Sequence, residues 1–308
     1  MTMGINRRHL LLGASLAALL PVNAARAADS VVVGSKIDTE GAVLGNIIAL
    51  MLENAGIPVT RRIQLGPTKI VRTALLSGEI DIYPEYTGNA GFFFNMADDP
   101  LWKNADEAYE KARALDERNG LVWLAPAPAD NTWGIAVRGD VAGSEKLVTL
   151  EDFARWANGG GDVKLAASAE FVESAAALPA FQKAYGFTLS GPQLLVLSGG
   201  DTTATIKAAA EGTSGVNAAM VYGTDGAISA LGLKVMEDTK HVQPVYQPAP
   251  VIRKAVLDAH PKIPELLAPA FAGLTLPTLQ ELNAQVQLEG VDARTVAENY
   301  LRAQGLLG

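Results

Sequence analysis

The sequence predicts an α/β protein of two nested units joined by a two-strand hinge, on three observations. Short apolar runs alternate with amphipathic helical segments from Val31 onward, the pattern of strands joined by crossover helices. About 280 residues follow a leader-like N-terminus, more than one hydrophobic core usually holds. The helical tail over 264–306 comes after a second strand–helix series, so the second unit is inserted into the first.

The leader sets the compartment. Arg7 and Arg8 precede an apolar run over 10–20, then Pro21, then the small-x-small site Ala25-Arg26-Ala27. A basic start, an apolar stretch too short to span a bilayer and small residues before the cut make residues 1–27 a cleavable signal peptide. The paired arginines suit the twin-arginine route as well as ordinary secretion. No later segment reaches the ~20 apolar residues of a membrane helix. The chain has no cysteine, which removes a disulfide framework, a thiolate nucleophile and a lipid-anchored cysteine. An exported protein without an anchor is expected in a periplasm.

The elements follow in order. Val31-Val32-Val33 opens the first strand. Asp38 or Thr39 can cap a helix over 40–54 with Gly56 as its stop. Val43, Leu44, Ile47, Ile48, Met51 and Leu52 fall on one face of it at spacings of three and four. A strand over 61–65, a helix opened by Gly66-Pro67-Thr68 and closed at Gly78, and a strand over 80–83 continue the unit. A helix over 105–119 and a strand over 121–124 lead to turn residues Pro126 and Pro128, and the run over 134–138 leaves the unit. The second unit reads as a helix from Leu150, a strand over 163–167, a helix over 174–185, a strand over 194–197, a helix over 202–211 and a strand over 217–222. Val235-Met236 and 242–252 read as returning strands, and the tail as helices interrupted at Pro277 and Gly290. The alternation predicts parallel sheets.

If the tail returns to the first unit, the chain crosses between units twice, near 133–138 and 242–251. Two crossings between rigid bodies make a hinge over a cleft that can close on a ligand. The boundaries are then 28–134 with 243–308 for the first lobe and 135–242 for the second.

Composition narrows the function. A formal charge of −8 opposes nucleic-acid binding, which needs a basic face. Of three histidines His9 leaves with the leader, and His241 and His260 stand apart from each other and from any paired carboxylates. Metal and triad chemistry therefore lack their parts, and no GxGxxG, phosphate loop, HExxH or GxSxG occurs. No enzyme, no metal and no cofactor are expected. The ligand-sensing half of a transcription regulator shares the two-lobed shape, but would carry a DNA-binding module where this chain has an export signal.

Ligands of open α/β sheets gather beyond the carboxyl ends of strands. Those positions hold Gly34-Ser35-Lys36, Tyr83-Pro84-Glu85-Tyr86-Thr87-Gly88-Asn89, Asn131-Thr132-Trp133, Ser168-Ala169-Glu170-Phe171, Gly199-Gly200-Asp201-Thr202-Thr203 and Tyr222-Gly223-Thr224-Asp225-Gly226. Rings, hydroxyls, one lysine and helix starts converge. Glu85 and Asp225 are expected to hydrogen-bond their own turns, and Phe92-Phe93-Phe94 to pack beneath the cleft.

The strings GSKIDTEGAVLGNIIALMLENAG, GEIDIYPEYTGN, DNTWGIAVR and NAAMVYGTDG resemble the osmoprotectant-binding proteins of ABC importers, over essentially the whole mature chain. These bind glycine betaine, choline and carnitine, and the resemblance is closest to their osmotically induced, YehZ-like branch. It implies the type II two-lobed periplasmic-binding-protein fold, a monomer, a quaternary-ammonium or zwitterionic ligand, and delivery to permease subunits in the inner membrane. A different small cationic or zwitterionic metabolite is the alternative ligand, and a periplasmic ligand sensor without a transporter the alternative role.

By position in the motifs, the resemblance implies Tyr86, Trp133 and Tyr222 as ring walls around the ammonium. A trimethylammonium has no N–H to donate and is held on ring faces, each contact contributing up to ~2 kcal/mol when desolvated. It implies Lys36 as the carboxylate donor, with Asn89, Asn131, Glu170 and Thr203 completing the site; Lys36 could instead pair with Asp38 or Glu40. Three departures from relatives stand out: Gly41 in place of Gln, Thr203 in place of Tyr, and Ser174 in place of Arg. A cage short of one ring is expected to bind glycine betaine roughly tenfold more weakly, or to prefer another ligand.

Overall fold

A computed structural model describes residues 30–197 and 202–308, together with Met1. The expected leader after Met1, and Gly199, Gly200 and Asp201, lie outside the described residues. The first series runs β1 (Val31–Lys36), α1 (Thr39–Asn54), β2 (Val59–Gly66), α2 (Thr68–Ser77), β3 (Ile82–Tyr86), α3 (Asn89–Phe93), α4 (Ala105–Glu117) and β4 (Leu121–Trp123). The second runs β5 (Trp133–Arg138), α5 (Gly139–Ser144), α6 (Leu150–Asn158), β6 (Leu165–Ser168), α7 (Ala169–Glu173), α8 (Leu178–Tyr185), β7 (Leu194–Leu197), α9 (Thr202–Ala210), β8 (Ala218–Tyr222), α10 (Ala227–Ala230) and β9 (Leu233–Val235). Then come β10 (Pro248–Arg253), α11 (Lys254–Ala259), α12 (Ile263–Ala272), α13 (Leu276–Gln287) and α14 (Ala293–Ala303).

The strands form two five-stranded sheets, ordered β2-β1-β3-β10-β4 and β7-β6-β8-β5-β9. Neither is the parallel sheet that alternation predicts. In each, three parallel strands meet a fourth that runs antiparallel to both its neighbours: β10 beside β3 and β4, β5 beside β8 and β9. These are the strands that enter straight from the other sheet's side of the chain. They arrive without a crossover helix, and a crossover is what obliges a strand to run parallel.

Helix α1 is buried almost all round. Asp38 caps it, its carboxylate accepting from Gly41 N at 2.6 Å, and its apolar residues leave no polar face. It lies between the first sheet and a layer of tail helices, where Leu44, Ile47, Ile48 and Leu52 meet Leu267, Phe271, Leu279, Val296 and Leu301. Each such side chain contributes roughly 1.5–3 kcal/mol by burial, so the tail is a structural part of the first layer. A second cluster on the opposite face of that sheet is built on Tyr83, Trp102 and Trp123. The second sheet has its own cores, one around Phe153, Phe171 and Phe181, the other around Ile206 and Val221.

Several boundaries differ from the sequence reading. The third strand begins at Ile82, because Asp81 is occupied beforehand: its carboxylate accepts from Val32 N at 2.9 Å and pairs with Arg253 at 3.0 Å. The helix expected over 174–185 begins only at Leu178, as α8; Ser174 is extended (φ −65°, ψ 125°) and ends the short α7, which lies before the expected range. The segment expected as a strand over 242–252 is extended only from Pro248; before it, residues 242–247 form an irregular crossing. The tail does break beside Pro277, over 273–275 between α12 and α13, but the proline is not itself the breaker. It occupies the first turn of α13, where the missing N–H costs nothing and Thr275 supplies the cap. Among the described residues no helix is long and apolar enough to cross a membrane.

Candidate functional site

A cleft of about 1200 Å³ is lined by residues that follow β1, β3, β6 and β8 and by residues of both crossings. All eight positions singled out from sequence line it: Lys36, Tyr86, Asn89, Asn131, Trp133, Glu170, Thr203 and Tyr222. They arrive from both sheets.

The second sheet supplies a flat aromatic wall. Trp133 opens β5 and Tyr222 closes β8, and the ladder sets them directly opposite each other. Their rings stack with centroids 6.1 Å apart and planes 23° from parallel, while Phe171 meets Trp133 edge-on at 6.0 Å. Burial pushes the Tyr222 phenol up to about 12, so it stays neutral at any ordinary pH. The buried indole N–H of Trp133 has no partner in hydrogen-bonding geometry, although the phenol of Tyr222 lies close enough for the indole to favour its ionised form slightly.

The first sheet supplies Tyr86, and its surroundings are ionic. Lys36 reaches neither Asp38 nor Glu40. Its ammonium sits 2.5 Å from Glu85 Oε1 and 4.5 Å from the centre of the Tyr86 ring, in a cation–π contact. Glu85 is fully buried and does more than cap its own turn. It accepts from Tyr86 N and Asn89 Nδ2 at 2.7 Å each, and from Tyr83 Oη at 2.7 Å. Lys36 and Asn89 are thus both committed to one internal carboxylate. Asp225 does cap its own turn, accepting from Tyr222 N at 2.7 Å.

A second buried carboxylate, Glu40, organises the cleft floor. Oε1 accepts from Tyr86 Oη at 2.7 Å and Asn131 Nδ2 at 3.2 Å; Oε2 accepts from Asn283 Nδ2 at 2.8 Å. Burial raises its pKa, and donors from Thr224, Tyr86 and Asn283 hold that rise back. The same environment, burial first and then the Glu40 and Asp38 charges, pushes the Tyr86 phenol well above its usual range.

Gly41, where the resemblance leads one to expect Gln, is a position without room. A side-chain carbon there would come within 2.9 Å of Lys36 O and 3.2 Å of Lys36 Cβ. Glu170, in the first turn of α7, is exposed at the cleft mouth, and Thr203 stands in the first turn of α9.

Sequence reasoning missed four lining residues of consequence. Glu40 lies in the first turn of α1, Tyr246 in the second crossing, Asn283 on α13, and Arg72 on α2. Tyr246 was findable as the one ring in a segment already read as a hinge. Arg72 is held by Asp116 in a two-pronged pair and lies 4.6 Å over the Phe93 ring, so Phe93 lines the cleft rather than packing beneath it. Nothing local marks Asn283. The crossings also bind each other: Tyr246 N donates to Asp130 Oδ1 at 2.7 Å, Asn131 N to Tyr246 O at 3.0 Å, and Thr132 Oγ1 to Pro244 O at 2.9 Å.

Six rings (Tyr86, Phe92, Phe93, Trp133, Tyr222 and Tyr246) and several carboxylates around one concave space can hold a cation. Among the described residues no group of three or more His, Cys, Asp or Glu side chains is placed to hold a metal ion. Neither His241 nor His260 lines the cleft.

Residues 29–303 match the family model described as the substrate binding domain of ABC-type glycine betaine transport systems. The glycine betaine-binding protein YehZ of Escherichia coli is 59% identical over 281 residues, covering 91% of this chain and 92% of the relative. Its apo structure superposes with a TM-score of 0.80 over 90% of this chain and 99% of that one. A glycine-betaine-binding protein of Pseudomonas aeruginosa is 32% identical over 286 residues, 91% of this chain and 89% of that protein. A solved glycine betaine/carnitine/choline ABC transporter chain, at 22% identity, shares the fold with a TM-score of 0.76 over 90% of this chain and 99% of that one. The fold is the type II two-lobed periplasmic-binding-protein fold that the motifs imply.

Proposed function

The chain belongs to the substrate-binding domains of ABC-type glycine betaine transport systems, and we propose that it captures glycine betaine, or a close quaternary-ammonium relative, between its two sheets. The observation that carries this reading is the Trp133–Tyr222 wall facing one cleft with Tyr86 and Tyr246. A methylated ammonium finds there ring faces, which hold it by cation–π contacts. The lobes in this reading are 28–134 with 243–308, and 135–242, hinged at the two crossings, with Trp133 and Gly134 at the boundary paired into the second sheet. The protein acts as a binding protein and not as an enzyme. It is exported to the periplasm by its leader and hands ligand, as a monomer, to a membrane permease.

A second reading, a different small cationic metabolite, is favoured by one observation. Lys36, the expected carboxylate donor, is neutralised by Glu85, and Arg72 by Asp116. Calorimetric titration of the purified mature protein with glycine betaine, choline, carnitine and proline betaine decides between them. Saturable binding of glycine betaine that is lost in Trp133→Ala and Tyr222→Ala supports the first reading. Saturable binding of none of the four supports the second. Binding unchanged in both variants overturns the ring wall as the site.

A further inference from the structure

The two sheets and their helices touch at a third place besides the two crossings. The turn after β8, which follows Tyr222 directly, is seated on α13 of the tail. Gly226 makes the closest approach: a side-chain carbon there would lie 2.1 Å from Ala284 N and 2.5 Å from both Ala284 Cα and Gln280 O. Gly226 has an ordinary helical φ of −67°, so its smallness answers to contact and not to backbone conformation. Beside it, Gln280 Nε2 donates to Gly223 O at 2.8 Å and Asn283 Nδ2 donates to Thr224 O at 2.9 Å.

The Asn283 amide is also the link to the first sheet's ring. Its nitrogen donates to Glu40 Oε2 at 2.8 Å, and Glu40 Oε1 accepts from Tyr86 Oη at 2.7 Å. One partner of that nitrogen, Thr224 O, is a carbonyl with no proton to give, so the amide cannot be turned round. Asn283 Oδ1 is left buried without a partner, a sign that the position is dictated by the bridge it makes. One chain of hydrogen bonds thus runs from Tyr86 through Glu40 and Asn283 to the turn bearing Tyr222.

We propose that Glu40 and Asn283 are positioning residues that, with the seat of Gly226 on α13, latch the two lobes at the angle that sets Tyr86 against the Trp133–Tyr222 wall. This rests on the reading of those rings as the ligand wall. The latch acts on the relative placement of the walls, so it governs affinity through their spacing, and it holds in the ligand-free protein.

The chain has no cysteine, so Ala114→Cys and Lys207→Cys, exposed on α4 and α9, accept spin labels in the otherwise native full chain. Pulsed EPR then reads the distance between the lobes without ligand. Gly226→Val and Asn283→Ala are expected to move the distribution to longer or broader distances, and to weaken glycine betaine binding about tenfold. Gln280→Ala, which removes only the bond to Gly223 O, is expected to move it less in the same direction, and carries the test together with Asn283→Ala if Gly226→Val does not fold. Trp133→Ala is expected to lose affinity while keeping the parent distances. Folded Asn283→Ala and Gln280→Ala variants with the parent's distances overturn the latch. A shift in distances when the parent binds no glycine betaine upholds the latch and overturns only the ligand reading.

Discussion

Trp133 and Tyr222 are a cross-strand pair, the first residue of β5 against the last of β8, stacked 6.1 Å apart in the ladder between them. Their alignment is therefore set by strand register, and a slip of one residue would turn one ring out of the cleft. Phe171 braces the indole from the side.

Replacing either member by alanine removes one face of the wall. Tyr222→Ala is expected to weaken glycine betaine binding by about tenfold or more, since a desolvated ring contact contributes up to ~2 kcal/mol. Tyr222→Phe, which keeps the face, is expected to stay within about threefold of the parent. Isothermal calorimetry on both variants separates the ring from the hydroxyl.

Lys36 and Glu85 form a buried ion pair, the lysine 5% and the glutamate 0% exposed. Lys36→Met leaves Glu85 charged and uncompensated and is expected to cost about 3–5 kcal/mol in urea denaturation. Lys36→Met with Glu85→Gln is expected to recover most of that loss. A single variant as stable as the parent would show that the pair does not hold the cleft wall.

Gly41→Gln puts a side chain into a place where its first carbon meets Lys36 O at 2.9 Å. Overpacking of this kind costs typically 1–3 kcal/mol. A lowered melting temperature is expected, with weaker ligand binding because Lys36 and Tyr86 move together.

Asp130, whose carboxylate accepts from Tyr246 N across the crossings, is pushed by burial from 3.8 up to about 6. A raised carboxyl pKa means the folded protein keeps its proton longer than the unfolded chain. Its contribution is most favourable below about pH 4 and is lost as pH rises to about 6, a change of about 3 kcal/mol. Asp130→Asn still accepts from Tyr246 N and is expected to be more stable than the parent at pH 7.5 by about 1–3 kcal/mol, with the gap closing near pH 4. Urea titrations across that range test it; a gap independent of pH would remove Asp130 as its source.

Most of the site was legible because it is built from strand ends. Lys36, Tyr86 and Tyr222 each close a strand, and the rule that ligands gather beyond carboxyl ends finds them from sequence alone, while Trp133 opens β5 and was reached as the residue at the crossing. What pairs with them was not legible. Glu85 lies 49 residues from Lys36, and Asn283 lies 243 from Glu40, separations at which no periodicity speaks. The sheets were read as parallel because helical spacing reports only consecutive elements, whereas β10 pairs with a strand more than 160 residues earlier. The break read at Pro277 falls just before it, over 273–275, because its place in a first turn makes that proline a start and not a stop.

Because β10 threads between β3 and β4, the outer layer of the molecule stays incomplete until residue 253 has emerged, while every strand of the inserted layer is drawn from 133–235. Order of assembly follows from that asymmetry. The insert can reach its final shape with purely internal pairings, and the surrounding half must wait for long-range closure, the slower class of event. An early-folding guest inside a late-folding host is what this topology builds.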